Sequence, residues 1–218
     1  MSGLPARLLV VTERSATDAP EVAARQLRAT LERLLQAGAH WVWFRERDLA
    51  PDARRALARD IAHLVRREGG FLTIGADVAL AADLRADGVH LPGGTTADEI
   101  AEARRCLPGG RIGVSAHTPE EVAVAARAGA DYATLSPIYP TPSKPGYGPA
   151  HGAGALRTAA GFGIPVIALG GITVDRVNQC RAAGAAGVAV MGALMRGADP
   201  EDGLRAYLAR LGAASDER

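Results

Sequence analysis

Apolar positions along the chain come in short runs separated by longer amphipathic stretches. The runs at 7–11 (RLLVV), 40–44 (HWVWF), 70–74 (GFLTI), 87–91 (DGVHL), 111–115 (RIGVS), 131–136 (DYATLS), 164–169 (IPVIAL) and 186–191 (AGVAVM) are short and nearly continuous. That pattern suits strands buried on both faces, which occur in parallel sheets. Between them, stretches rich in Ala, Leu, Arg and Glu near 20–37, 51–68, 78–85, 96–106, 118–128, 152–160, 173–183 and 199–212 carry a helical period.

The punctuation agrees with this reading. Thr96 followed by Glu99 forms a capping-box pattern, and Thr118 before Pro119 reads as a cap with proline in the first turn. Gly38, Gly129 and Gly184 each sit in an AGA sequence where a helix should close in the left-handed region. The related segments AGAH, RADG, AGAD and AGAA precede the second, fourth, sixth and eighth strands, as in a repeated half-unit. Eight strand–helix pairs predict a single (β/α)8 TIM barrel spanning 1–218, with a doubly wound open sheet as the alternative.

Composition adds mainly exclusions. The 218 residues are 48% apolar and 22% charged, with net charge +1, so no global field favours nucleic acid or a membrane. Cys106 and Cys180 have neither metal-ligand spacing nor a disulfide framework. The N-terminal apolar run ends at Val11, too short for a secretion signal, and no stretch approaches the roughly 18 residues of a membrane span. A cytoplasmic protein is expected. Helical faces rich in Ala and Leu leave room for a homodimer.

Candidate chemistry gathers where a barrel places its working face, at the strand C-termini and the loops after them. Gly170 and Gly171 follow the seventh strand; Met191 and Gly192 follow the eighth, at the start of a short helix. Glycine at those loops lets backbone N–H groups approach a phosphate, and Thr173 reads as the cap of the helix beyond. Arg45 and Arg47, in FRERD, bring positive charge to the end of the second strand. Alternation puts Trp43 and Arg45 on one side and Phe44 on the other, so Arg45 is expected to point into the mouth above Trp43. Ion pairing of Arg45 with Glu46 or Asp48 is the competing possibility. The irregular segment 136–154 carries Thr141, Ser143 and Lys144, the only lysine, and reads either as an active-site lid or as a tolerated surface insertion. His117, just past the fifth strand, is a candidate acid/base group, or else an imidazole that satisfies the next helix start. His90 lies within its strand, where a core role is as good a reading as a mouth role.

FRERD, ADGVHL, GVSAHTPEEV, GADYATLSPIYPTPSK, IPVIALGGIT and GAAGVAVMGAL, in that order, resemble the thiamine phosphate synthase/TenI superfamily over nearly the whole chain. The resemblance implies a (β/α)8 barrel working in thiamine biosynthesis on a small heterocyclic phosphate. Synthases of this superfamily couple a pyrimidine diphosphate to thiazole phosphate, using magnesium held by an Asn-Asp pair after the third strand and a Gly-Gln-x-Asp stretch after the fourth. Here Gly75 and Ala76 stand in the first place, Pro92, Gly93 and Thr95 in the second, and Trp43 replaces a glutamine. Magnesium seeks hard oxygen ligands, and these positions supply no carboxylate. The expectation is therefore a TenI-type thiazole tautomerase, with His117 as acid/base, Gly170, Gly171, Met191 and Gly192 at the phosphate, Arg45, Arg47 and Lys144 for anionic groups, and Trp43 as a ring-stacking residue. It needs no cofactor and no metal. The alternatives are thiamine phosphate synthase, which would require magnesium, and a non-catalytic regulator that only binds a phosphate ligand.

Overall fold

A computed structural model describes residues 3–141 and 150–212. Eight strands, β1 (Leu8–Val11), β2 (Trp41–Phe44), β3 (Phe71–Gly75), β4 (Gly88–Leu91), β5 (Arg111–Ala116), β6 (Tyr132–Leu135), β7 (Val166–Leu169) and β8 (Gly187–Val190), pair in parallel and in sequence order. Pairing of β1 with β8, Leu8 opposite Val188, closes the barrel and rules out the open sheet. Around it lie α1 (Pro20–Gln36), α2 (Pro51–Arg67), α3 (Val78–Asp83), α4 (Ala97–Cys106), α5 (Pro119–Arg127), α6 (Gly152–Ala160), α7 (Val177–Ala182), the short α8 (Gly192–Met195) and α9 (Pro200–Gly212). No described helix is long and apolar enough to cross a membrane.

Both faces of each strand are covered, which is why the strand sequences are nearly continuous in apolar residues rather than alternating. Leu9, Val11, Trp41, Trp43, Tyr132, Ile167 and Ala189 fill the barrel interior. Their neighbours Leu8, Val10, Val42, Phe44, Leu72 and Ile74 pack outward against the helices. The two-residue period thus divides β2 as expected, with Trp43 inside and Phe44 outside.

The interior also holds a polar layer centred on His90. Its Nδ1 lies 3.1 Å from the Tyr132 hydroxyl, and its Nε2 is 3.1 Å from Ser115 Oγ and 3.3 Å from Thr134 Oγ1. The Trp43 ring packs against it at 4.0 Å between centroids. Burial, reinforced by the positive charges of Arg47 and Arg45, lowers the His90 pKa to about 3, so the ring is neutral and structural. Gly113 makes this layer possible: a Cβ there would stand 2.6 Å from His90 Nδ1 and 2.5 Å from the Tyr132 hydroxyl.

Local signals account for several helix boundaries. Thr96 and Glu99 form the reciprocal capping box at α4, and the Thr118 side chain accepts the Glu121 N–H at α5. Gly38, Gly129 and Gly184 have φ of 108°, 86° and 93° at the helix ends expected for them. Thr173 departs from expectation. Its side chain makes no capping bond, because the chain first turns through a 3₁₀ segment, Val174–Arg176, before α7 begins.

Candidate functional site

A cavity of about 690 Å³ opens at the C-terminal ends of the strands, with Trp43 in its wall. Among the residues expected to act, Arg45, Arg47, His117, Thr141, Gly170, Gly171, Met191 and Gly192 also line it. Ser143 and Lys144 lie outside the described residues.

The charges at this mouth are sorted in a way that FRERD alone does not reveal. Glu46 is buried and pairs with Arg14, whose Nε lies 3.6 Å from Glu46 Oε2. Asp48 pairs with the same guanidinium. Burial pushes the Glu46 carboxyl above its ordinary value, opposed by its hydrogen bonds and by Arg14. Arg45 is left with no carboxylate partner among the described residues: its backbone N–H donates to Thr12 Oγ1 at 2.9 Å, and its Nη1 lies 4.0 Å from Met191 Sδ. Arg47, likewise without a described carboxylate partner, is driven down in pKa by burial and by the nearby Arg45 and Arg54. The expected competing pairing of Arg45 with Glu46 or Asp48 is therefore absent, because Arg14 takes both acids.

The glycines after β7 serve packing as well as the cavity. Gly170 and Gly171 have φ of 93° and 63°. A Cβ on Gly171 would lie 2.5 Å from the Pro140 carbonyl and 2.8 Å from Tyr139 Cβ, so the segment after β6 can rest on this turn only because the side chain is missing. Tyr139 donates its N–H to the Gly170 carbonyl at 3.0 Å, and Arg176 holds the Gly171 carbonyl at 2.7 Å. After β8, the Met191 carbonyl accepts the N–H groups of Leu194 and Met195 at 3.1 and 3.0 Å. The Arg196 guanidinium lies where a Gly192 side chain would stand, lines the cavity and pairs with Glu13.

His117 is fixed from two sides. Its backbone N–H donates to Glu121 Oε2 at 2.6 Å. Its Nδ1 lies 2.9 Å from the Ser136 carbonyl, which can only accept, so Nδ1 carries a proton. Nε2 is the ring nitrogen on the Gly93 side, 3.8 Å from where a Gly93 Cβ would be.

The positions at which the resemblance implies magnesium ligands do not form a metal site. Trp43 occupies the space beside Gly75: a Cβ there would lie 2.8 Å from the indole Nε1 and 3.0 Å from the Phe44 carbonyl. Asp77, the nearest acid in sequence, accepts the Leu80 N–H at 2.9 Å as the α3 cap and pairs with Arg54 Nη1 at 2.6 Å. Thr95 donates its hydroxyl to the Pro92 carbonyl at 2.8 Å. Among the described residues Glu121 is the one carboxylate in the cavity lining, and it accepts the His117 N–H. Among the described residues no group of three or more His, Cys, Asp or Glu could hold a metal. The donor set does not fit magnesium.

Sequence reasoning missed Arg14, Arg54, Glu13 and Arg196. A sequence signal existed for Arg196, four residues beyond a glycine that opens a short helix. Arg14 follows β1 by three residues, but its partners in FRERD are 32 and 34 residues away and unreadable from spacing.

The family model for thiamine monophosphate synthase matches residues 8–194. The chain is 43% identical over 199 residues to a putative thiamine-phosphate synthase of Geobacter sulfurreducens, an alignment covering 89% of this chain and 92% of that protein. It is 37% identical over 182 residues to the thiamine-phosphate synthase of Bacillus licheniformis, covering 81% and 80%. In fold, it matches thiamine phosphate pyrophosphorylase from Pyrococcus furiosus with a TM-score of 0.79 at 24% identity, covering 95% and 96%. These relatives correct the expected tautomerase assignment, which rested on missing carboxylates. Losing one means of holding a diphosphate does not create an isomerase, and relatives at this identity and coverage carry the name of the transferase.

Proposed function

The chain belongs to the thiamine monophosphate synthase family, and from that premise we propose that it is a transferase joining hydroxymethylpyrimidine diphosphate to thiazole phosphate. One observation carries the reading: two guanidinium groups, Arg45 and Arg47, face a cavity whose neighbouring carboxylates are bound elsewhere. A cavity of about 690 Å³ accommodates two small heterocycles together.

The reaction breaks the bond between the pyrimidine methylene carbon and a diphosphate oxygen, and forms a bond from that carbon to the thiazole nitrogen. Diphosphate leaves with the electron pair, the nitrogen supplies its lone pair, and no proton has to move. The main demand is electrostatic, because negative charge builds on the leaving oxygen. Arg45 and Arg47 meet that charge with donors fixed before the reaction begins. Gly170, Gly171, Gly192 and Arg196 receive the thiazole phosphate at the β7 and β8 ends. His117 and Ser115, at the β5 end, orient the rings, a role that suits an imidazole held by the Ser136 carbonyl.

Mixing the purified protein with both substrates is expected to release thiamine phosphate and diphosphate in equal amounts. No thiamine phosphate under any ionic condition would refute the transferase. Arg45→Gln should lower kcat by about 10²-fold if its guanidinium acts on the developing charge.

A further inference from the structure

We propose that this barrel binds its diphosphate-bearing ligand without a divalent cation, the guanidinium groups of Arg45 and Arg47 supplying the positive charge. The identity of that ligand rests on the transferase reading above. The absence of a cation does not: it follows from how the mouth is built.

Each acid described near the mouth faces a base or a donor, although one buried oxygen of Glu46, Oε1, has no hydrogen-bond partner among the described residues. Arg14 holds Glu46 and Asp48, Arg54 holds Asp77, Arg196 holds Glu13, and the His117 N–H holds Glu121. Releasing any of them to a metal would leave a cation or donor without its partner, a cost that is largest at the buried Glu46 and small at the exposed Asp48. The segment 142–149 contains no Asp or Glu, so it brings no carboxylate ligand either.

Sterics close the same position independently. The buried Trp43 indole, whose Nε1 has no hydrogen-bond partner among the described residues, lies against the bare face of Gly75. A carboxylate at 75 would need a Cβ in contact with that nitrogen and with the Phe44 carbonyl. Trp43 and Gly75 therefore form a matched pair, large against none, that leaves no room for a side-chain ligand at position 75, and Ala76 beside it carries no side-chain oxygen.

The like charges of Arg45 and Arg47 repel, and a bound polyanion relieves that repulsion. Burial lowers the basicity of Arg47 and of His90, and neighbouring guanidinium charges lower both further, Arg45 and Arg54 acting on Arg47, and Arg47 and Arg45 acting on His90. A diphosphate oxygen pair matches the planar guanidinium fork, which binds such groups in bidentate fashion.

The test is calorimetric titration of inorganic diphosphate into the full chain, once in excess EDTA and once in excess magnesium. The affinity in EDTA is expected to equal or exceed that in magnesium, and the Arg45→Gln/Arg47→Gln variant should lose at least 100-fold. The Arg45→Lys/Arg47→Lys variant, which keeps the charge but not the fork, should fall between the two. Thermal melts of each variant separate lost binding from lost fold. Binding at least tenfold tighter with magnesium, or unaltered by the double glutamine substitution, overturns the proposal. Turnover distinguishes it from the transferase reading. Thiamine phosphate formation abolished by EDTA and restored by magnesium would sink metal independence while preserving the transferase. Tight diphosphate binding in EDTA with no product under any condition would do the reverse.

Discussion

Acidification should weaken this fold through His90. The imidazole is buried, and its pKa falls to about 3, whereas in the unfolded chain it titrates near 6.5. Between those values the unfolded chain binds the proton and the folded chain does not, so stability rises with pH across this window and falls on acidification. From pH 7 to pH 5 the unfolded imidazole gains about 1.5 pH units of protonation free energy, or about 2 kcal/mol of lost stability. Glu46 works with the opposite sign: its carboxyl is raised in the fold, so its contribution is present at low pH and lost as pH rises. Comparison with His90→Gln isolates the histidine, since Glu46 and all other groups titrate in both proteins. Urea unfolding at pH 7, 6 and 5 gives the two stability curves. His90→Gln will be less stable at pH 7, because its network with Tyr132 and Ser115 is disturbed, but its decline towards pH 5 should be shallower by about 2 kcal/mol. Parallel curves would mean that His90 takes up its proton in the fold as readily as in the unfolded chain, and the polar layer would need another account.

Three further outcomes follow from single positions. Gly171→Ala places a Cβ against Pro140 and Tyr139 at positive φ and should cost about 2 kcal/mol or more, a fall in melting temperature of roughly 4–8 °C by calorimetry. Gly192→Ala meets only the flexible end of Arg196, so stability should change by less than about 0.5 kcal/mol. Steady-state kinetics should then show KM for thiazole phosphate rising about tenfold with kcat nearly unchanged, the pattern of lost uniform binding. Thr96→Ala breaks the α4 capping box and should cost about 1 kcal/mol in urea unfolding, with no change in turnover.

The barrel was legible because each level of the sequence repeats it. Strands buried on both faces leave a continuous apolar signature, and helices ending at Gly38, Gly129 and Gly184 need φ values that glycine supplies cheaply. Boundaries were legible wherever a cap has a chemical signature, as at Thr96 and Thr118. Thr173 looks the same in sequence, and its side chain does not cap, because whether a threonine caps depends on the backbone path that Gly170 and Gly171 impose before it. The polar layer around His90 was less legible. Its partners Tyr132, Ser115 and Thr134 lie 25 to 44 residues away, and only barrel closure brings them to one level.

At the mouth, period-two alternation carried further than charge did. It placed Arg45 above Trp43, and both line the cavity. By charge, FRERD reads as self-neutralising, two bases interleaved with two acids. The fold separates them: Glu46 and Asp48 turn to Arg14 from the neighbouring loop, and the two arginines are left at the cavity with no carboxylate partner among the described residues. Neutrality along the chain thus becomes polarity in space, which no count of charges in the segment reveals. The same separation explains why missing metal ligands misled the choice of reaction. Carboxylates that hold a metal are one way to bind a diphosphate, and guanidinium groups are another, so loss of the first does not exclude transferase chemistry. With Glu46 and Asp48 paired to Arg14, a diphosphate entering the cavity would meet the positive charge of Arg45 and Arg47, which stand in the sequence beside those acids.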